Sequence, residues 1–193
     1  MKMKRLFSFN MITLDGFFEG PSKWDLNWHN VDNEFNEFAV DQLNEIDTLL
    51  FGRVTYEGMA GYWPTPAATA NDPVVAGLMN RIPKIVVSRT LEKAEWDNTR
   101  LIKDHIEEEI AKLKQQSGRD LAIFGSANLM STLMKMDLID EHRVMLNPII
   151  LGNGIPLFKT KDKVALQLLR TRIFGNGNVL LCYQADRNRP KEH

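Results

Sequence analysis

Apolar residues along the chain follow two spacings, one typical of buried strands and one typical of helices. Continuous or alternating apolar runs predict strands at residues 6–12, 48–51, 84–88, 121–124 and 143–150. Apolar positions three or four residues apart predict helices over 32–43, 74–79 and 128–136, a helix that begins at 53–59, and a charged helix around 106–113. Residues 61–73 contain three prolines and predict a surface loop.

The last part of the chain has a different pattern. Two extended runs, 164–174 and 179–183, flank the segment Gly-Asn-Gly-Asn at 175–178, and Asn-Gly between apolar runs is a strong hairpin signal. Strands that alternate with helices, followed by a hairpin, predict an α/β protein with a mixed, mostly parallel sheet and helices on its faces. We expect one domain over residues 1–185 and a polar tail over 186–193.

Composition excludes several classes of function. The 193 residues are 44% hydrophobic and 25% charged with a net charge of −1, so no basic excess points to nucleic acid. No apolar run approaches the ~20 residues of a membrane span, and the segment after the basic N-terminus is too short and polar for a signal peptide. We therefore expect a cytoplasmic protein. Cys182 is the only cysteine and the four histidines lack ligand spacing, so we expect no metal site.

Two similar corners carry the strongest functional signal. In each, an apolar strand ends at a glycine and a helix follows: Phe51-Gly52-Arg53-Val54-Thr55 and Phe124-Gly125-Ser126-Ala127. Glycine permits close approach of a ligand, and the N-terminus of a helix attracts anions. Arg53 adds a guanidinium, whose planar arrangement of N–H donors fits a phosphate, and Thr55 adds a hydroxyl donor. Two corners in one small domain predict a phosphate-rich ligand such as a dinucleotide.

Other candidate residues lie at the ends of the first and third strands. Ser88 and Arg89 end the strand at 84–88, and a hydroxyl beside a guanidinium suits the 2′-phosphate of an adenosine ribose. Asp15 and Gly16 follow the first strand, which ends near Met11. The carboxylate of Asp15 can accept hydrogen bonds from the N–H groups of a heterocycle or transfer a proton during reduction, and it can equally cap the turn.

A long loop over residues 17–30 carries bulky aromatic side chains, among them Trp24 and Trp28. Such a loop either closes over a ligand or fills part of a core. If it closes over a ligand, Trp24 or Trp28 can stack on a heterocycle. The segment between Asp15 and Asp47 has only two basic residues, Lys23 and His29, which leaves room for a substrate without a phosphate.

These residues together resemble the dihydrofolate reductase-like superfamily, and most of all the reductase domain of bacterial riboflavin biosynthesis and its stand-alone relatives. The resemblance runs from Leu6 to about Tyr183. Its motifs are T-L-D-G at 13–16, F-G-R-V-T-Y-E at 51–57, V-S-R at 87–89, I-F-G-S at 123–126, L-I-D-E at 138–141 and P-I-I-L-G-N-G-I-P-L-F at 148–158.

The resemblance implies a three-layer fold of the dihydrofolate reductase type and a reductase that uses NADPH. The adenosine end of the cofactor would be held by Arg53, Thr55, Ser88 and Arg89, the pyrophosphate by Gly52, Gly125, Ser126 and Ala127, and the nicotinamide would lie near Met11 and Gly16. Glu37 is near the spacing of the acid that binds the substrate in dihydrofolate reductases. The implied activity is reduction of 5-amino-6-(5-phosphoribosylamino)uracil by a homodimer, with Asp15 ordering the substrate or relaying a proton.

Two other classes of function stay open at this point. One is a protein of the same fold that binds or senses NADPH without turnover, and the other is a structural homodimer without a ligand. A reductase acting on dihydrofolate or another pteridine is a further alternative for the substrate. Binding and turnover measurements with NADPH distinguish these hypotheses.

Overall fold

The computed structural model describes residues 3–160 and 163–186 as an eight-stranded sheet with helices on both faces and a separate two-stranded ribbon. The strands are β1 (Leu6–Thr13), β2 (Phe17–Glu19), β3 (Ile46–Gly52), β4 (Lys84–Val87), β5 (Thr99–Ile102), β6 (Asp120–Phe124), β7 (Glu141–Asn147), β8 (Ile155–Pro156), β9 (Leu166–Ile173) and β10 (Val179–Ala185). The helices are α1 (Asn33–Asn44), α2 (Arg53–Tyr62), α3 (Pro66–Asn71), α4 (Pro73–Arg81), α5 (Ile106–Gln115) and α6 (Ala127–Lys135).

The order of strands across the large sheet is β5-β4-β3-β6-β1-β7-β10-β9. The first six strands in this order pair in parallel, while β10 pairs antiparallel with both β7 and β9. β1 lies in the middle, and all eight of its residues are buried, as expected of a strand covered on both faces. The α/β fold class and the C-terminal hairpin are therefore confirmed.

The sheet separates two apolar cores. One core includes Phe7, Phe9 and Phe51, with Phe38 of α1 and Leu78 of α4 packed on them. The other includes residues from the opposite faces of the same strands, such as Leu50 and Ile123, with Ile110 of α5, Met130 and Leu133 of α6. Residues that alternate along β3 belong to different cores, which is the alternation that a strand imposes. Cys182 is fully buried, and burial raises the pKa of its thiol to about 11.

Most predicted elements are present, but the loop predicted over 61–73 is a correction. It contains α3, whose N-terminus is capped by Thr65 and whose first residue is Pro66. The hydroxyl of Thr65 accepts the N–H of Ala68 over 3.2 Å, and proline is well suited to the first position of a helix. Proline thus begins a helix here instead of breaking one.

Three other features of the strands differ from the sequence predictions. The edge strand β5 was not predicted, and the strand predicted over 143–150 ends at Asn147, before Pro148. The predicted loop over 17–30 contains β2, which pairs with β8 in the small ribbon. Of the predicted tail, Asp186 is described and residues 187–193 lie outside the described part of the chain.

Candidate nucleotide-binding site

The carboxyl ends of four neighbouring parallel strands meet along one side of the sheet, which we call the carboxyl edge. β1 ends at Thr13, β3 at Gly52, β4 at Val87 and β6 at Phe124. Because these strands are adjacent in the order β4-β3-β6-β1, four segments distant in sequence contribute to the same edge. In open α/β sheets, ligands bind outside this edge.

The two strand–glycine–helix corners lie side by side at the carboxyl edge and are hydrogen-bonded to each other. The N–H of Gly52 donates to Oγ of Ser126 over 2.9 Å. A Cβ atom on Gly125 would lie 3.4 Å from Cγ2 of Thr55. Gly125 and Ser126 have φ angles of 65° and 58°, a conformation that glycine adopts without strain. The two corners therefore form one continuous surface.

Helices α2 and α6, which begin at these corners, have no capping side chain. Gly52 has no side chain, the side chain of Ser126 accepts nothing from the first turn of α6, and neither first turn contains an acid. By contrast, α1, α3 and α4 are capped by the side chains of Asp32, Thr65 and Asp72. Uncapped N–H groups at the positive end of a helix dipole favour anions. Two such ends side by side suit a ligand with linked phosphates.

Two arginines flank this surface, and each is paired with an exposed acid. Arg53, the first residue of α2, contacts Glu57 at 2.9 Å, and Arg89, which follows β4, lies 3.8 Å from Asp104. The side chains of Arg53 and Arg89 are 45% and 81% exposed. Ion pairs this exposed contribute at most about 1 kcal/mol. Either guanidinium can therefore exchange its acid for a ligand anion at little cost.

Ser88 and Ala127 lie at the same edge but are mostly buried. The hydroxyl of Ser88 accepts the N–H groups of Thr90 and Leu91 over 3.1 and 2.9 Å, so it shapes the turn that presents Arg89. Ala127 is the first residue of α6 and packs into the core between that helix and the sheet. Ser88 and Ala127 thus support the turns around the site.

Asp15 holds a turn of the glycine-rich run 148–158. Its carboxylate accepts hydrogen bonds from Oγ1 of Thr13 at 2.6 Å, from N of Gly152 at 2.7 Å and from N of Leu151 at 3.3 Å. The bond from Thr13, with those from the two backbone N–H groups, outweighs desolvation and lowers the pKa of Asp15. The carboxylate is consequently ionised at neutral pH, which favours the turn-capping alternative over proton donation.

The segment between Met11 and Phe18 joins the end of β1 to the corner surface. Met11 is buried on the α1 side of β1, and Gly16 has a φ of 87° in the turn that follows the strand. The carbonyl of Gly16 accepts the N–H of Leu157 over 3.3 Å. The ring of Phe18 lies 3.7 Å from the position of a Cβ on Gly125. Phe18 of β2, the strand that follows this turn, is therefore within van der Waals reach of the second corner.

The two tryptophans of the aromatic loop occupy different environments. Trp24, with φ of 64°, is 38% exposed, and its ring covers Gly58 of α2 so closely that any side chain at Gly58 would collide with it. Trp28 is 9% exposed, belongs to the apolar core, and donates its Nε1–H to the carbonyl of Asp25 over 3.0 Å. Trp28 therefore fills part of the core, which is one of the two alternatives expected of this loop, and the ring of Trp24 covers α2. Closure of the loop over a ligand stays a prediction.

Glu37 lies on the exposed side of α1, while Phe38, Gln42 and Leu43 form the buried side of that helix. The structure thus gathers the predicted residues of the corners and of the turn after β1, and the role of Glu37 stays a prediction.

A cluster of asparagines that the sequence reasoning missed anchors the end of the aromatic loop. Oδ1 of Asn147 accepts the N–H of Asn30 over 2.9 Å, and Nδ2 of Asn178 donates to the carbonyl of Asn30 over 2.7 Å. Asn30 also donates its side-chain amide to the carbonyl of Asn176. Asn147 and Asn178 are fully buried. The repeated asparagines of the 175–178 turn were the available signal.

Residues 3–160 and 163–186 contain no group of three or more His, Cys, Asp or Glu side chains that could hold a metal ion. Among the helices in that part of the chain, none has the length and apolar character needed to cross a membrane.

The fold and its carboxyl edge define an α/β domain of the dihydrofolate reductase type. Dihydrofolate reductase of Enterococcus faecalis, solved in complex with NADP(H) and RAB-propyl, matches 94% of the chain at a TM-score of 0.62 and 16% identity, and 96% of that protein is covered. A protein of Shewanella sp. PV-4, described as belonging to riboflavin biosynthesis, matches more closely. The match covers 95% of this chain and 99% of the Shewanella protein, at a TM-score of 0.72 and 23% identity.

More specifically, the chain belongs to the RibD C-terminal domain family, whose model matches residues 4–180. The protein YyaP of Bacillus subtilis is 35% identical over 185 residues, which are 95% of this chain and 96% of YyaP. The family and its structural neighbours are reductases or reductase-like proteins. The resemblance drawn from the sequence motifs is confirmed.

Proposed function

We propose that this protein is an NADPH-dependent reductase that acts on a pyrimidine- or pteridine-like heterocycle. The observation that carries the proposal is the pairing of two uncapped helix N-termini through the bond from Gly52 to Ser126, flanked by two exposed arginines. A mononucleotide needs one such anion site, whereas the linked phosphates of a dinucleotide can occupy both. Family membership then favours a reductase over other dinucleotide-binding proteins.

The residues at the carboxyl edge suit the negative charge of NADPH. The first N–H groups of α2 and α6 would hold the pyrophosphate, and the absence of a side chain on Gly125 keeps the space beside Thr55 open. Arg53 and Arg89 would hold the 2′-phosphate, since a planar guanidinium donates two parallel hydrogen bonds to such a group. When bound, NADPH supplies the hydride for the reduction.

The heterocycle would be held between the turn after β1 and the aromatic loop. The ring of Trp24 packs against Gly58 of α2 and 38% of the residue is exposed, so the ring can stack on a flat ligand, whereas Trp28 would support the loop from below. Asp15 would act through its ionised carboxylate by fixing the turn at Leu151 and Gly152. A water molecule is the simplest source of the proton in this arrangement.

By family, the substrate to test first is 5-amino-6-(5-phosphoribosylamino)uracil. The segment from Asp15 to Asp47 offers that substrate's phosphate only Lys23 and His29. Burial lowers the pKa of His29 to about 4, so its imidazole is neutral at pH 7. We therefore propose that the preferred heterocycle carries no phosphate, and that the phosphorylated compound reacts more slowly than its dephosphorylated form.

The test has two parts. Titration of the protein with NADPH and NADH, followed by nucleotide fluorescence or calorimetry, should give a dissociation constant at least about tenfold lower for NADPH, because the 2′-phosphate adds charge-assisted hydrogen bonds. NADPH oxidation is then followed at 340 nm with the phosphorylated and dephosphorylated pyrimidines and with dihydrofolate. Equal affinities for the two nucleotides would contradict the role of the arginines.

A second candidate, a protein that binds NADPH without turnover, is favoured by one observation. Of the two acids predicted to handle substrate and proton, Asp15 is engaged in capping a turn and Glu37 lies on the exposed side of α1. This candidate predicts tight NADPH binding with no consumption of NADPH in the presence of any of the three substrates. Turnover of any one of them would exclude it.

A further inference from the structure

The loop between β4 and β5, residues 88–98, carries Arg89 near its start, and we call it the Arg89 loop. Its first anchor is the hydroxyl of Ser88, which accepts two N–H groups of the following turn over 3.1 and 2.9 Å. Residues 92–95 make no backbone–backbone hydrogen bond within the described part of the chain. A segment with few hydrogen bonds of its own is placed by its anchors, so the second anchor of this loop also affects the position of Arg89.

The second anchor is a buried hydroxyl on the helix that begins at the first corner. The N–H of Trp96, near the end of the Arg89 loop, donates to the hydroxyl oxygen of Tyr56 in α2 over 2.9 Å. Tyr56 and Trp96 are 4% and 6% exposed, so little water competes for this bond. Because 40 residues separate Tyr56 from Trp96, the bond fixes the loop against the helix and not against itself.

The indole of Trp96 is held by other contacts. Its Nε1–H donates to Oδ1 of Asn80 over 2.8 Å, and its ring stacks on Phe51 of β3 with the ring centroids 6.2 Å apart. The ammonium of Lys84 lies 4.4 Å from the centroid of the same ring. Since these contacts hold the side chain, the hydroxyl of Tyr56 fixes the direction of the main chain at this end of the loop.

The bond between Tyr56 and Trp96 also connects the two arginines of the candidate site. Arg53 is the first residue of α2, and Tyr56 lies in the same helix, so both belong to one rigid element. Arg89 belongs to the loop that Tyr56 holds. Recognition of one phosphate by two guanidiniums requires that both present their N–H groups to the same point, since such bonds are directional. The hydroxyl of Tyr56 is therefore placed to keep the two guanidiniums in register.

We propose that Tyr56 is a positioning residue that sets the preference for NADPH over NADH by fixing the Arg89 loop relative to Arg53. The inference rests on the proposed function, in which these arginines hold the 2′-phosphate. Without the hydroxyl, the buried N–H of Trp96 has no acceptor, and the cost of such an unpaired donor drives the loop to a new position. A binding site loses function when its groups move by more than about 0.5 Å. NADH has no 2′-phosphate and is insensitive to this shift.

The variant Tyr56→Phe tests the proposal, because it removes the hydroxyl and keeps the ring. In titration calorimetry, the dissociation constant for NADPH should rise at least about threefold, while that for NADH changes less than about twofold. The matched control is Tyr62→Phe in the same helix, since Tyr62 is 43% exposed and its hydroxyl lies 3.5 Å from Nδ2 of Asn71. The control should leave both constants unchanged. A purely structural role for Tyr56 would lower Tm without changing the ratio of the two constants.

Two further measurements show whether the hydroxyl acts through Arg89. The double variant Tyr56→Phe/Arg89→Gln should lose no more NADPH affinity than Arg89→Gln alone, and the amides of residues 92–96 should exchange hydrogen faster in Tyr56→Phe than in the wild type. A wild-type chain that binds NADPH and NADH equally would contradict the proposed function and this inference with it. A folded Tyr56→Phe variant that keeps the wild-type preference would overturn only this inference, as would additive losses in the double variant or unchanged exchange.

Discussion

Replacing Arg89 by Gln should weaken NADPH binding and leave NADH binding nearly unchanged. Arg89 is 81% exposed, and its contact with Asp104 at 3.8 Å contributes at most about 1 kcal/mol. A charge-assisted hydrogen bond to phosphate contributes about 1.5–3 kcal/mol. The net loss on substitution is therefore about 0.5–3 kcal/mol, or about a 2- to 160-fold rise in the dissociation constant for NADPH.

Titration calorimetry of both nucleotides at 50 and 300 mM salt provides the measurement. The advantage of NADPH over NADH should shrink at high salt, because exposed charges are screened. Lys93→Gln is the control, since Lys93 lies on the same loop, is 79% exposed and pairs with Glu95 in the same manner. If Arg89→Gln and Lys93→Gln had equal effects, or if Arg89→Gln weakened NADH as much as NADPH, the placement of the 2′-phosphate would be wrong.

Three other substitutions test the core network, the second corner and the aromatic loop. Glu141→Gln should lower stability by about 3–5 kcal/mol and Tm by roughly 6–20 °C in calorimetry, because Arg143 would lose its buried partner. Burial tends to raise the pKa of Glu141, but the nearby arginines outweigh burial and lower that pKa. The carboxylate therefore contributes fully to folding stability above about pH 4.3, the pKa of glutamate in the unfolded chain. This contribution is lost as the pH falls through the lower pKa of the folded state. Gly125→Ala should cost about 1–2 kcal/mol and weaken NADPH binding, and an unchanged dissociation constant would contradict the corner assignment. Gly58→Ala should displace the ring of Trp24 and shift tryptophan fluorescence to the red, whereas Gly61→Ala in the same helix should not, since space around Gly61 is open.

The sequence predicted the parts of the site that depend on local chemistry. Glycine before a helix, with a small or polar residue after it, is readable from the sequence at Gly52 and at Gly125. At Gly125 the turn itself favours glycine, since its φ is 65°, whereas Gly52 has an extended φ of −78°. The bond from Gly52 to Ser126 could not be predicted, since it exists only because β3 and β6 are adjacent in the sheet. The capping of the 151–152 turn by Asp15 depends in the same way on long-range packing.

The elements that the sequence missed were hidden by their composition. α3 is a six-residue helix of Pro, Ala, Thr and Asn, which gives no apolar periodicity. β5 has four residues and is an edge strand with little alternation. Lys84 begins β4 and is 1% exposed, because its ammonium donates to the carbonyls of Met79, Asn80 and Ile82 at the end of α4. A lysine in an apolar run gives no sign that it caps a neighbouring helix.

The distribution of charge in the fold supports the proposal that a nearly neutral chain binds an anion. At the amino ends of the strands, cations are paired with partly or fully buried acids: Lys4 with Asp47, Arg5 with Asp120, and Arg143 with Glu141. At the carboxyl edge, by contrast, the helices begin without acids and the arginines have only exposed partners. The two ends of the strands therefore differ in charge although the net charge of the chain is only −1. The carboxyl edge is the end of the sheet whose positive groups are least neutralised, so it can attract an anion without an excess of basic residues in the composition.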